Sequence, residues 1–173
     1  GGGGGFLPLA FFMTKFVLGP GEFRTVDGED LQSCFNLFGL PPEWLGYMCS
    51  EKQVDSSVFG YPPWTLEYVA LRVVPMGWSA SAGAIQSFIR FFVCGACGVN
   101  PAQEMSHQAP FPEGDVAVTR MDGFDKISRA LSFVRPKGSK HPEMERFLKL
   151  SRRLGLPVNA VKSVCQALNA TAL

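Results

Sequence analysis

The sequence has little of what marks several common protein classes. It holds only two histidines, His107 and His141, and they are not paired at a metal-ligand spacing. Its five cysteines (34, 49, 94, 97 and 165) are odd in number and irregularly spaced, which excludes a secreted disulfide framework. Cys94 and Cys97 form a single CxxC, and a structural zinc site normally needs a second ligand pair, so these thiols are expected to be buried or inert. The formal net charge is +1, so total charge gives no signature of nucleic-acid binding. Long apolar runs are lacking too. Phe6–Leu18 is interrupted by Lys15, is too short for a membrane span and lacks the basic start of a signal peptide. Phe88–Val99 carries Arg90. No repeat recurs at a solenoid period.

What is present points to a folded domain. Hydrophobic residues make up 46% of the chain and include fifteen Phe, enough for a sizeable core. The length suits one domain or a fragment of a larger one. The chain opens without Met on five glycines, which reads as a truncated boundary. Residues 1–22 are expected to be linker-like and 23–173 to form the domain. Basic residues concentrate late. Between Lys126 and Arg153 there are nine Lys/Arg (126, 129, 135, 137, 140, 146, 149, 152, 153) against Glu143 and Glu145. Such a stretch could follow a phosphate backbone or form a solvated, helix-rich surface.

Local patterns give an order of elements. Phe23–Val26 reads as a short strand leading to Glu29, Asp30 and Leu31. Leu31–Leu40 has a helical apolar rhythm, ended by Pro41 and Pro42. Glu43–Ser50 reads as a further helical turn or two. Val54–Phe59 and Thr65–Val74 are β-rich and flank a loop through Pro63 and Trp64, which predicts a hairpin. Ser79 or Ser81 is placed to cap a helix whose buried stripe is Ile85, Phe88, Ile89 and Phe92. A loop follows over Asn100–Gly114. Asp122-Gly123 between Val116–Met121 and Phe124–Ser128 is a strong hairpin signal, expected as a type I′ turn. Pro142 suits the first turn of a helix with Met144, Phe147, Leu148 and Leu154 inward and Gly155 as its cap. Val158–Cys165 reads as a final strand. The fold class is α+β, with helices on one face of a mostly antiparallel sheet.

Two acidic positions stand out. Asp30 follows a β-rich stretch and Asp122 lies at the hairpin turn. Carboxylates at the ends of neighbouring strands can share divalent cations for two-metal phosphoryl transfer. Taken alone, either residue is more simply read as a turn-former or a cap. The segment from Pro75 to Gln86 adds weight. Pro75, Gly77, Trp78, Ser81 and Gln86 match the second conserved motif of reverse transcriptases, with Ala82 in place of the usual Pro. Glycine there lets the backbone approach a template base.

The chain therefore resembles the palm domain of retrotransposon-type reverse transcriptases over roughly Phe23 to Cys165. Asp30 then takes the position of the family's first metal-binding Asp. Phe35 takes that of the aromatic steric gate, or is simply a core aromatic. Arg120-Met121-Asp122-Gly123 falls where the family has Tyr-x-Asp-Asp, so only the first Asp is kept. Leu154–Ser163 resembles the family's fourth motif, which makes Lys162 the candidate proton donor to the leaving pyrophosphate, or an exposed strand lysine.

The resemblance implies a palm-like antiparallel sheet with fingers and thumb largely missing. Asp30, Asp122 and Lys162 would be catalytic, with Asp30 and Asp122 holding Mg²⁺ or Mn²⁺. Phe35, Met76, Gly77, Trp78, Ser81 and Gln86 would meet substrate. The partners would be an RNA or DNA template-primer, dNTPs and other domains of a longer polyprotein, in a nuclear or cytoplasmic setting, with no membrane. Two functions follow. One is an RNA-directed DNA polymerase domain, favoured by Asp30, Phe35, Asp122 and Lys162. The other is an inactive palm remnant with at most nucleic-acid or partner binding, favoured by Arg120 and Gly123.

Overall fold

A computed structural model describes residues 15–62, 65–106, 109–130, 135–136 and 138–167. The five-glycine start, Pro63, Trp64, His107 and Lys137 lie outside the described residues. The chain forms two compact units, one of Gly1–Cys34 with Ala82–Leu173 and one of Phe35–Ser81.

The regular elements are strands β1 (Phe23–Asp30), β2 (Val54–Asp55) and β3 (Leu66–Glu67), helix α1 (Ser79–Arg90), strands β4 (Val116–Thr119) and β5 (Gly123–Ala130), helix α2 (Pro142–Arg153) and strand β6 (Val164–Ala167). In the first unit the four long strands form one antiparallel sheet in the order β4-β5-β1-β6. With α1 before β4 and α2 before β6, the connectivity is the β-α-β-β-α-β arrangement with split crossovers. This is the α+β class expected from the sequence.

Alternation along the strands assigns the two faces. On one face Phe124 meets Phe147 of α2 with ring centroids 5.9 Å apart, and Phe147 meets Phe92 at 5.4 Å. Gln86 of α1 donates to Thr119 on the same face, so both helices cover it. Of the expected stripe, Ile85, Ile89 and Phe92 are buried and Phe88 is half-buried. On the opposite face Met105, Val116, Val118 and Ile127 form a cluster joined by Phe16, Val26 and Phe111. Phe16, from the apolar start, is thus packed on the sheet.

Helix α2 begins as its sequence predicts. His141 is the N-cap, its Nδ1 accepting from the Glu143 amide at 3.3 Å, and Pro142 opens the first turn. Gly155 ends it at φ +69°, and the Leu156 amide closes onto the Ser151 carbonyl at 2.8 Å. Leu154 departs from the expected stripe: it is 60% exposed, and Ser151 is buried instead.

Other expectations are corrected. β1 runs on to Asp30 rather than ending at Val26. The helix expected over Leu31–Leu40 is a single 3₁₀ turn, Cys34–Leu37. Leu31 pairs with Val158 and Ser33 sits at φ +51°, so the backbone has left the helical region before the apolar rhythm can use it. In the second unit, Val54–Phe59 pairs only through Val54 and Asp55, because the Asp55 carboxylate caps Ser57 and starts a 3₁₀ turn. Most of the Thr65–Val74 stretch pairs elsewhere: Gly39 bridges Val73 and Cys49 bridges Ala70. Ser79 and Ser81 both lie inside α1 rather than before it. The final segment is a bridge at Val158, a 3₁₀ turn over Ala160–Lys162 and then β6.

Part of the basic stretch forms internal ion pairs. Lys126 is wholly buried against Glu143, Arg135 pairs with Asp27, and Lys140 pairs with Glu29. Cys34 and Cys97 are buried, and burial pushes both thiols up to about 11. Among the described residues no helix is long and apolar enough to cross a membrane.

Candidate functional site

Asp30 is the last residue of the central strand, and three backbone links fix its surroundings. The Leu31 amide donates to the Asp122 carbonyl at 2.5 Å, the Gln32 amide to the Pro157 carbonyl at 2.7 Å, and the Asn159 amide to the Asp30 carbonyl at 2.8 Å. The hairpin turn therefore lies on one side of Asp30 and the 157–162 segment on the other. Cys34 Sγ adds a contact to the Met121 carbonyl at 3.3 Å.

The hairpin is present, but its turn differs from the one expected. Thr119 pairs with Phe124, and Arg120 and Gly123 close the loop through the Arg120 amide to the Gly123 carbonyl at 2.9 Å. The two central residues are Met121 and Asp122, and no residue of the turn has positive φ, so it is not type I′. Glycine at position 123 serves close approach instead. Gly123 faces Asp30 in the sheet register, and a Cβ there would run into the Glu29 carbonyl and lie 2.7 Å from Asp30 Oδ1.

Alternation places Asp30, Gly123 and Asp125 on one sheet face, opposite the helices. Gly28 leaves room there for the Asp125 carboxylate. The guanidinium of Arg120 lies among these acids. Its Nη2 donates to Asp30 Oδ1 and, at 3.3 Å, to Asp125 Oδ1. Its Nε is 2.9 Å from Asp125 Oδ2, off the hydrogen-bond direction, and its Nη1 is 3.8 Å from Asp122 Oδ1. Lys162 Nζ stands 3.4 Å from Asp30 Oδ2. The Asp30 side chain is only 4% exposed, against 44% for Asp122 and 45% for Lys162.

Burial alone would lower the pKa of Arg120, but Asp125, Asp30 and Asp122 outweigh it and hold the guanidinium charged above its ordinary value. For Asp125 burial wins and favours the neutral form. Burial pushes its carboxyl up from 3.8 to about 6; Arg120 opposes the shift, and the neighbouring Asp30 and Asp122 add to it. The sign of the consequence follows from which state keeps the proton. Between about pH 4 and 6 folded Asp125 holds a proton that the unfolded chain has released. That stabilisation is complete below the window and lost as pH rises through it. Asp125→Asn removes the titration, so the stability of the variant relative to wild type should climb across the window. Urea unfolding at several pH values measures this; two parallel stability curves would contradict it.

Asp30, Asp122 and Lys162 thus come together within the first unit. Gln86, also in the first unit, is 2% exposed; its Nε2 donates to the Thr119 carbonyl at 3.0 Å, and its Oε1 is buried too. Phe35, Met76, Gly77, Trp78 and Ser81 belong to the second unit. Phe35 is half-buried and Met76 is 81% exposed. Gly77 has φ +96° with open space where a Cβ would project, so backbone conformation is what favours glycine there. Trp78 packs edge-on against Trp44 at 5.4 Å, and buried Ser81 donates to the Pro75 carbonyl at 2.7 Å.

Two members of the cluster were not assigned to it from sequence. Arg120 stands where the motif has Tyr, and Asp125 falls outside the motif. The i, i+2 spacing of positions 123 and 125 in a strand was the available signal for Asp125. Arg120 acts through sheet adjacency, which no local pattern carries. No family model and no curated protein matches the chain.

Proposed function

We propose that this chain is a palm-like domain of the reverse-transcriptase kind from a retroelement polyprotein, and that as folded it is an inactive form of that domain. The observation that supports the palm reading is the pairing of distant parts. A strand ending in Asp30 lies beside a hairpin whose turn carries Asp122, and both carboxylates lie against one guanidinium. The split β-α-β-β-α-β sheet with its helices on the far face agrees with it.

The choice of the inactive form rests on Arg120. Nucleotidyl transfer of dNTPs onto a primer would require Mg²⁺ or Mn²⁺ on these carboxylates. The residues as arranged do not fit such ions. Arg120 lies against Asp30, Asp122 and Asp125, and Lys162 stands at Asp30. The position that would bring a second acid to the turn is Gly123, where side-chain space is taken. The active-polymerase reading retains Asp30, Asp122 and Lys162 in its favour, gathered at one place, and Phe35 from the motif match.

RNA-templated primer extension with Mg²⁺ and with Mn²⁺ separates the two. Wild type is expected to extend no more than Asp30→Asn. Extension that disappears in Asp30→Asn would establish the active reading instead.

A further inference from the structure

The acidic cluster carries its own cation. We infer that Arg120 is the resident cation of the Asp30, Asp122 and Asp125 cluster, occupying with its guanidinium the space and the oxygens that a divalent ion would need. Three observations support this. The guanidinium faces all three carboxylates at once: Asp30 at the end of β1, Asp125 on β5 and Asp122 in the turn between β4 and β5. Its side chain is only 23% exposed, so it is held in the cluster rather than swung into solvent. Asp30, the most buried of the three acids, has one oxygen on Arg120, while the other takes no hydrogen bond among the described residues and lies 3.4 Å from the Lys162 ammonium.

The charge balance gives the mechanism. Three carboxylates against Arg120 and Lys162 leave a formal charge of −1. A divalent ion entering this group must displace a guanidinium that is fixed by the same chain. Arg is suited to this because it does not deprotonate and its planar donors reach several oxygens together. Replacing it with a neutral residue of similar reach makes the cluster one unit more negative and frees at least one Asp30 oxygen. The inference rests on these contacts and not on the family reading, because ion binding is measured without any polymerase activity.

Mn²⁺ binding followed by electron paramagnetic resonance tests it. Wild type should show no binding that depends on Asp30. Arg120→Gln should bind Mn²⁺ more tightly by about tenfold or more, and Asp30→Asn in that background should remove the gain. Equal binding by wild type and Arg120→Gln, or no gain in Arg120→Gln, would overturn the inference. Should Arg120→Gln fail to fold, the wild-type chain still decides. The side-chain Nε–H resonance of Arg120 should keep its position as a diamagnetic divalent ion, Mg²⁺, is added to millimolar levels. A saturable shift of that resonance, absent in Asp30→Asn, would show the ion displacing the guanidinium and overturn the inference.

Discussion

Phe147→Ala is expected to destabilise the chain by about 3–5 kcal/mol, the usual cost of emptying a buried aromatic site. Phe147 is fully buried on α2, and its ring contacts Phe92 at 5.4 Å and Phe124 at 5.9 Å. It joins the α1 side of the helical layer, α2 and the strand that leads out of the Asp122 turn. Alanine would leave a void bounded by two other rings, which can close only if a helix moves. Since a domain has roughly 5–15 kcal/mol in total, the variant should be near its unfolding threshold. Urea denaturation measures the loss; a change below about 1 kcal/mol would mean that Phe147 is not at the centre of this core.

Lys126→Ala should cost a similar amount, about 3–5 kcal/mol, for a different reason. Lys126 is wholly buried, with Nζ 2.7 Å from Gln103 Oε1 and 2.7 Å from Glu143 Oε2. Removing the ammonium strands a carboxylate that is only 13% exposed, and the nearby His141 Nδ1, 3.6 Å away, compensates only when protonated. The loss therefore comes from the charge left behind more than from the pair itself. Replacing both partners, as Lys126→Met with Glu143→Leu, should recover most of the stability. Equal destabilisation by the single and double changes would show instead that packing of the lysine stem dominates.

The element order was readable where a local pattern determines the structure. The Ile85, Ile89 and Phe92 stripe, the Pro142 start and Gly155 end of α2, and the hairpin around Asp122 all follow from periodicity or from one residue's backbone preference. The failures occur where partners distant in sequence decide. Leu31 follows Val158 into a bridge, against a helical apolar rhythm. In the second unit only Leu66 and Glu67 of the late β-rich stretch pair with the nearer Val54–Phe59 segment, while Ala70 and Val73 bridge Cys49 and Gly39. The late basic residues looked like a surface, yet Lys126, Arg135 and Lys140 serve acids on β1 and α2.

The candidate site divides in the same way. Asp30, Asp122 and Lys162 were legible because a motif order suggested them, and they lie together. Arg120 and Asp125 required the register of β5 against β1, which puts positions 123 and 125 beside Asp30 and Gly28. Gly123 had a correct position and a different cause: proximity to β1 rather than the φ demand of a turn.

The most direct test is a crystal structure of the chain at neutral pH, read at one place. Asp30 and Asp122 should lie on either side of the Arg120 guanidinium, with Asp125 beside them on the sheet face away from α1 and α2. Asp30 and Asp122 on opposite faces of the sheet, or an Arg120 side chain turned out into solvent with the acids apart, would contradict it.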